Sequence, residues 1–469
     1  MITGAMQWMK AGVAGLALSV AVPVSTTAET LGQTLVNAYE HSGLLEQNRA
    51  LLRAADEDVA QIVASLRPIL NWSTDITRTF GRTRNGPILS TSSSNDINIA
   101  LTLDLLLFDF GQTQFRLDAA KETVLATRQS LRSIEQQVLL RAVSAYLNVQ
   151  RNQQFVSLRQ NNLRLLQQEL RAARDRFEVG EVTRTDVAQA EARVASARGE
   201  LAAAQGNLTQ AVEEFRAAVG RRPGALQPPG PLPSLASNVD TSKNIAARNH
   251  PDILQAQRQV ASADLLILAA DAAMKPQLSL TGRLSAGEEV GDSDYSRSGS
   301  VGVTLSGPIY QGGLLSSAKR QAMAQRDASR GNLHEVRHRI LQDVGNAYAI
   351  LQSARAVQQA SREQVRAAQV AFRGVREEAT LGARTTLDVL DAEQELLDAR
   401  TNLISADVDV IIAAYQVLSS IGQLTAKDLK LNVQTYDPAA YYNLVKDAPV
   451  PISPQGKKLD RVLKSLSRE

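Results

Sequence analysis

The stretch FEVGEVTRTDVAQAEA around Gly180 returns around Gly382 as EATLGARTTLDVLDAEQ, at an offset of 382 − 180 = 202 residues. Tyr146 and Tyr348 keep that offset (348 − 146 = 202), and so do Gly220 and Gly422 (422 − 220 = 202). A repeat this long is a duplicated half-protein and not a short solenoid module. Each copy carries one helix-loop-helix unit and one pair of strands in the same order, which predicts pseudo-symmetric assembly around an axis. The expected segments are an export signal over 1–28, a first repeat over 29–238, a second repeat over 239–425, and a mid-height segment with a flexible basic tail over 426–469.

Composition narrows the class. Aromatic residues make up only 4% of the chain and charged residues 21%, with 28 glycines among many Ala, Gln, Arg, Glu and Leu. That bias suits long helices packed through small side chains better than a compact enzyme core. The net charge of +3 is small and both signs alternate along the helical stretches, which argues against a nucleic-acid partner. The absence of cysteine excludes disulfides, a thiol nucleophile, Cys-based metal sites and a lipid anchor attached through cysteine. At the N-terminus, Lys10 precedes the apolar run Ala11–Val24, and small residues lead to a cut after Ala28. This reads as a secretory signal, too short to span a membrane comfortably, and no later segment approaches a transmembrane helix.

Period-two alternation marks four strands. In Asp96–Phe108, the residues Ile97, Ile99, Leu101, Leu103, Leu105 and Leu107 share one face; Leu70–Thr77, Gln277–Leu284 and Ser300–Ser306 alternate likewise. Gly81–Ser94 and Gly287–Ser298, rich in Gly, Ser, Asn and Asp, read as the loops of two hairpins. Four strands with an apolar face cannot close a barrel and would leave bare edges. Exported chains of this pattern suit outer-membrane barrels facing lipid, and three copies would supply about twelve strands. The bland alternative is a soluble sandwich fragment.

From Gln112 to Phe177 there is no proline, and Leu117, Val124, Leu131, Val138 and Ala145 recur every seventh residue. Such a helix would run for roughly 100 Å. Gly180 ends it, and a helix about half as long returns over Thr183–Val219. A Pro/Gly linker follows over Gly220–Asn238, then a third helix over Lys243–Lys275. Two short helices can therefore stack end to end beside the long one, with the linker at mid-height. The second copy repeats the plan over Gly313–Leu381 and Thr385–Ile421, and Leu31–Arg67 supplies the remaining short helix. Hairpin loops fall at one end and Gly180 and Gly382 at the other.

These features, with LGARTTLDVLDAEQELLDA (Leu381–Ala399), YQGG (Tyr310–Gly313) and its relative DFGQ (Asp109–Gln112), resemble the TolC family of outer-membrane efflux and type I secretion channels. The resemblance covers essentially the whole mature length. It implies a homotrimer with one outer-membrane barrel of about twelve strands, continued by an α-helical tunnel across the periplasm. It further implies contact with outer-membrane lipid, a periplasmic adaptor protein, and an inner-membrane ABC or proton-driven transporter. It makes Asp388 and Asp391 aspartates of the periplasmic entrance. It makes Arg384 part of the closing network, paired with Thr185 and Asp186 of the first copy, and Gly180 and Gly382 the tips where an adaptor docks. Where the family pattern has a tyrosine five residues before this arginine, the chain has Ala379.

Read from spacing alone, Asp388 and Asp391 share a helix face, and rings of carboxylates in a narrow pore select cations. Acids also favour the first turn of a helix as caps, and both roles can hold at once. HEVRH at His334–His338 fits a two-histidine zinc motif with Glu335 as base. Against it, no histidine follows His338, and the repeat counterpart Arg132–Gln136 has none. His41 and His250 read as structural. No cofactor is expected and no enzyme activity; the runner-up is a periplasmic coiled-coil scaffold without a pore.

Overall fold

The computed structural model describes residues 28–236, 238–291 and 294–466. The export signal, apart from Ala28 at its end, lies outside them. In chain order the elements are α1 (Leu31–His41), α2 (Gly43–Ser65), β1 (Ile69–Asn85), β2 (Ile88–Phe108), α3 (Gln112–Glu178), α4 (Arg184–Val219), α5 (Val239–Asn249), α6 (Pro251–Ala272), β3 (Gln277–Glu289), β4 (Tyr295–Ser306), α7 (Leu314–Thr380), α8 (Thr386–Ser420), α9 (Ala440–Val445) and α10 (Pro454–Leu466).

The strands form one antiparallel sheet in the order β1-β2-β3-β4. Its register aligns Leu70, Leu103, Gly282 and Val301 in one row and Trp72, Leu101, Leu284 and Gly299 in the next. The opposite face carries Asn71, Thr102, Arg283 and Ser300 in a row. The apolar face is bare: Trp72 is 75% exposed, Ile76 76% and Val301 82%. Phe108, Phe110 and Tyr310 are exposed at the helical end of the sheet, where aromatic rings flank a lipid band. The outer edges of β1 and β4 have no strand beside them among the described residues.

The strands are longer than alternation indicated. Most of the segment expected as a loop over Gly81–Ser94 is paired, from Gly81 with Ser92 to Asn85 with Ile88. The turn is reduced to Gly86 and Pro87. Gly86 takes φ +63, as the first position of a tight hairpin turn requires. The second expected loop likewise shrinks to 290–294. The alternating signal fades there because both faces are polar, although serine and threonine still pair well.

The 67-residue helices α3 and α7 are the long members, each about 100 Å long. Arg141–Glu214, Arg159–Glu200 and Arg174–Glu191 tie α4 along the lower half of α3, while Arg258–Glu122 ties α6 to its upper half. End-to-end stacking is thus realised. The heptad residues Leu117, Val124, Val138 and Ala145 are buried, and Leu131 is half-buried.

Two helices expected as continuous are broken. Leu31–Arg67 splits at Ser42 and Lys243–Lys275 splits at His250, both extended in backbone. Pro251 explains the second break, since proline disfavours helix at the residue before it. Each break residue caps the next helix: Ser42 Oγ accepts from Leu45 N at 3.2 Å, and His250 Nδ1 from Asp252 N at 3.2 Å. The breaks belong to the duplication, because 239 − 31 and 251 − 43 both equal 208. After the hairpins the offset becomes 314 − 112 = 202, so the first hairpin region is six residues longer.

At mid-height the repeat tyrosines fasten the linkers. Tyr146 OH donates to the carbonyls of Gln227 at 2.6 Å and Glu29 at 3.0 Å. Tyr348 OH donates to Ala236 O at 2.8 Å and lies 2.6 Å from Ser242 Oγ. A core of Leu139, Val143, Phe215, Ile253, Val344 and Ile421 joins both copies here. The basic end, expected as a flexible tail, instead forms α10, with Leu459 buried against Ala60, Tyr441 and Val445. α8 is long and apolar enough to cross a membrane by composition, contrary to the sequence expectation, yet it packs along α7 and α3 at the end remote from the sheet.

Candidate functional site

The residues singled out in the sequence gather at the tip remote from the sheet. Both turns are built alike. Gly180 takes φ +81 and Gly382 φ +79. The next amides reach back to helix carbonyls, Glu181 N to Arg176 O and Ala383 N to Glu378 O, both at 2.9 Å. Glycine is the residue for such a left-handed helix end. Returning helices start with matched capping boxes. Asp186 Oδ2 accepts from Thr183 N at 2.9 Å and Thr183 Oγ1 at 2.8 Å. Asp388 Oδ2 accepts from Thr385 N at 2.9 Å and Thr385 Oγ1 at 2.8 Å.

These bonds hold both carboxyls below the usual range. For Asp186 the Thr183 hydroxyl bond is the main cause; for Asp388 it is the Thr385 amide, helped by the Thr385 hydroxyl and the Arg384 charge. Both therefore stay charged at neutral pH. Asp388 is a cap, and its charge also faces the tip.

The expected pairing of Arg384 with Thr185 and Asp186 is not made within the chain. Arg384 Nε donates to Glu378 Oε2 at 2.9 Å, Thr185 is exposed, and Asp186 is engaged by Thr183. Other bonds cross between the copies. Arg193 on α4 donates to Asp391 on α8 at 2.7 Å. Asp388 and Asp391 thus divide their roles, one closing a local turn and the other bridging the two hairpins of helix.

Behind this bridge sits Glu393, only 6% exposed. Its Oε1 accepts from Asn162 Nδ2 on α3 at 2.8 Å, and Oε2 has no partner among the described residues. Burial pushes its carboxyl up to about 7, with Glu169 adding to the rise and Asn162 and Arg376 opposing it. Arg376 itself pairs with Glu169 at 3.5 Å. Sequence reasoning passed over Glu393, Asn162 and Arg193. For Glu393 a signal existed: it occupies the apolar stripe of α8, between Val389 and Leu390 on one side and Leu396 and Leu397 on the other.

His334 and His338 lie on the exposed face of α7 with Nε2 atoms 3.1 Å apart, and Glu335 is exposed beside them. Among the described residues no group of three His, Asp or Glu is arranged to hold a metal.

A bare apolar sheet continued by helices about 100 Å long, with charged turns at their far tips, defines an outer-membrane channel subunit. A family model described as outer membrane efflux protein matches residues 34–221 and 244–423. The chain belongs to that family of outer-membrane efflux and secretion channels. It lies in the outer membrane, with its helical part in the periplasm. The outer membrane efflux protein BepC of Brucella suis biovar 1 (strain 1330) is 35% identical over 425 residues, covering 90% of this chain and 91% of that one. Outer membrane protein TolC of Escherichia coli (strain K12) is 27% identical, covering 86% and 84%. Among solved structures, the Campylobacter jejuni CmeC outer membrane channel superposes with a TM-score of 0.75 at 18% identity, covering 89% of each chain. Both the TolC-type resemblance and the channel fold are thereby established, and a pore-free scaffold is set aside.

Proposed function

We propose that three copies close one barrel and one tunnel, forming a passive exit duct across the outer membrane and periplasm. The observation that carries this is the open sheet: four strands expose an apolar face and leave β1 and β4 as bare edges. Bare edges call for strands from other chains, and about twelve in all make a barrel of ordinary size. The duct catalyses nothing and draws its energy from an inner-membrane transporter reached through a periplasmic adaptor. The similarity to BepC, an outer membrane efflux protein, supports efflux as the transport class. The grooves beside Gly180 and Gly382 dock the adaptor. Asp388, Asp391 and Arg384, with Thr185, Asp186 and Arg193, form the gate at the entrance.

The test is conductance of the purified protein in planar bilayers, with and without a multivalent cation at the periplasmic side. Wild type is expected to be blocked, and Asp388→Ala with Asp391→Ala to lose the block. Persistence of the block in the double variant refutes the gate assignment. A heat-modifiable band at three chain masses is expected from the assembly; a monomer that conducts refutes the trimer.

A further inference from the structure

We infer that outward-facing arginines at the outer end of the sheet bind the phosphate groups of phosphorylated glycolipid in the outer leaflet. The register sorts the charges of the strands by sign. Arg78, Arg82 and Arg84 follow Trp72 at even steps on β1, so they share its lipid-facing side. Arg297 pairs with Ala286, in phase with Leu284 on the same side. The acid on that face is Glu288, paired with Ile97. The other face carries Asp75, Asp96, Asp104 and Glu289 against Arg283. Outward charge is therefore 4 − 1 = +3, and inward charge is 1 − 4 = −3.

Height fixes the ligand. Arg78 is the first outward charge after Ile76 on β1, and Phe80, the last outward apolar residue of that strand, stands just short of Arg82 and Arg84. Arg78 pairs with Asn95, whose carbonyl accepts from Val290 N at 2.7 Å, which puts it level with the turn between β3 and β4. Arg82 and Arg84 stand about 13 and 20 Å further along the strand. They lie on the part of the first hairpin that rises past the second. That finger has Thr79, Gly81, Thr83, Asn85, Ser90, Ser92 and Ser94 on its inner side, all uncharged. Positive charge is thus absent where cargo leaves and concentrated where headgroups stand.

The residue type fits as well. The four strands contain arginine and no lysine. A guanidinium fork meets phosphate oxygens two at a time, which an ammonium cannot do. Arg78, Arg82 and Arg84 make no ion pair among the described residues. Arg297 lies over the Tyr295 ring at 5.4 Å, which fixes its plane.

The inference rests on the outer-membrane channel reading, and two readouts keep the two apart. Purified protein in detergent is titrated with lipopolysaccharide and with the same lipopolysaccharide after dephosphorylation. Wild type should bind the phosphorylated form at least about tenfold more tightly. Arg78→Gln, Arg82→Gln, Arg84→Gln and Arg297→Gln together should abolish that preference, and Arg283→Gln on the inner face should leave it intact. The double variant Arg82→Gln, Arg84→Gln lies beyond the lipid band and guards against misfolding; it should lose at least half of the preference on a logarithmic scale. Equal binding of the two lipids by wild type, or an unchanged preference in the quadruple variant, overturns the inference. Bilayer conductance is recorded in parallel: its loss in wild type would count against the channel, whereas its retention in the variants assigns any lost binding to the arginines.

Discussion

At position 110 the first copy has phenylalanine and at the matching position 312 the second has glycine, and both take a left-handed backbone, with φ +54 and +58. The next residues, Gly111 and Gly313, both have φ +86 and begin the long helices. The corner between barrel and tunnel is the same in each copy, although the residues differ. In the first, Asp109 compensates by accepting from Gly111 N at 3.0 Å and Thr113 N at 2.7 Å. Duplication therefore preserves backbone path and releases side chains. Differences gather at the two ends of the molecule. One hairpin is longer, and one tip carries Asp391 and buried Glu393 where the other carries Gln189 and exposed Glu191.

Matched substitutions put this to the test. The largest effect is expected at the belt. Gly220 and Gly422 both end helices at positive φ, +88 and +80. A methyl at Gly422 would meet the backbone of the helix break, His250 Cα at 3.0 Å and Pro251 Cδ at 3.1 Å. At Gly220 it would meet the ring of exposed His41, which can swing aside. Gly422→Ala should cost about 3 kcal/mol and Gly220→Ala about 1–2 kcal/mol. Thermal unfolding of the two variants decides, and equal losses would remove the claimed asymmetry of the belt.

Next in size is the buried acid. Between pH 4.5 and about 7 the folded chain keeps a proton on Glu393 that the unfolded chain has released. Stability therefore falls as pH rises through that window. Glu393→Gln should flatten this slope and raise the melting temperature at pH 8 by a few degrees. Glu191→Gln, at the exposed counterpart paired with Arg174 at 2.6 Å, should leave the slope as it is. If both variants give the same pH profile, the tips are not functionally distinct.

The smallest effect is at the exposed bridge. Arg193→Ala or Asp391→Ala removes a surface ion pair worth about 0.2–1 kcal/mol. Mean conductance at rest should rise by up to about fivefold for each pair lost. Gln189→Ala at the register position of Asp391 should leave conductance as it is.

Much of the fold was legible because lipid and coiled-coil packing both write strict periods. Leu101, Leu103 and Leu105 announce a sheet facing lipid, and Leu117, Val124 and Leu131 a helix packed along one stripe. Legibility failed where the environment is uniform or the partner is remote. On the finger above Arg78 polar residues dominate both faces, with only Phe80, Ile88 and Leu89 apolar, so no regular alternation marks the strand. The break at Ser42 was hidden because apolar residues keep helical spacing across it. Arg193 and Asp391 meet 198 residues apart on separate helices, and nothing local to either indicates the other.

The two tyrosine fastenings have a mechanical consequence. Tyr146 is 178 − 146 = 32 residues from the end of α3, and Tyr348 is 380 − 348 = 32 from the end of α7. Each arm below its fastening is about 48 Å long. Both copies thus act as levers of equal length about one fulcrum. A tilt of about 5° at the belt carries either tip through roughly 4 Å, more than the length of the ion pair that joins them. The tips can therefore part by more than that bond while the barrel and the belt scarcely move.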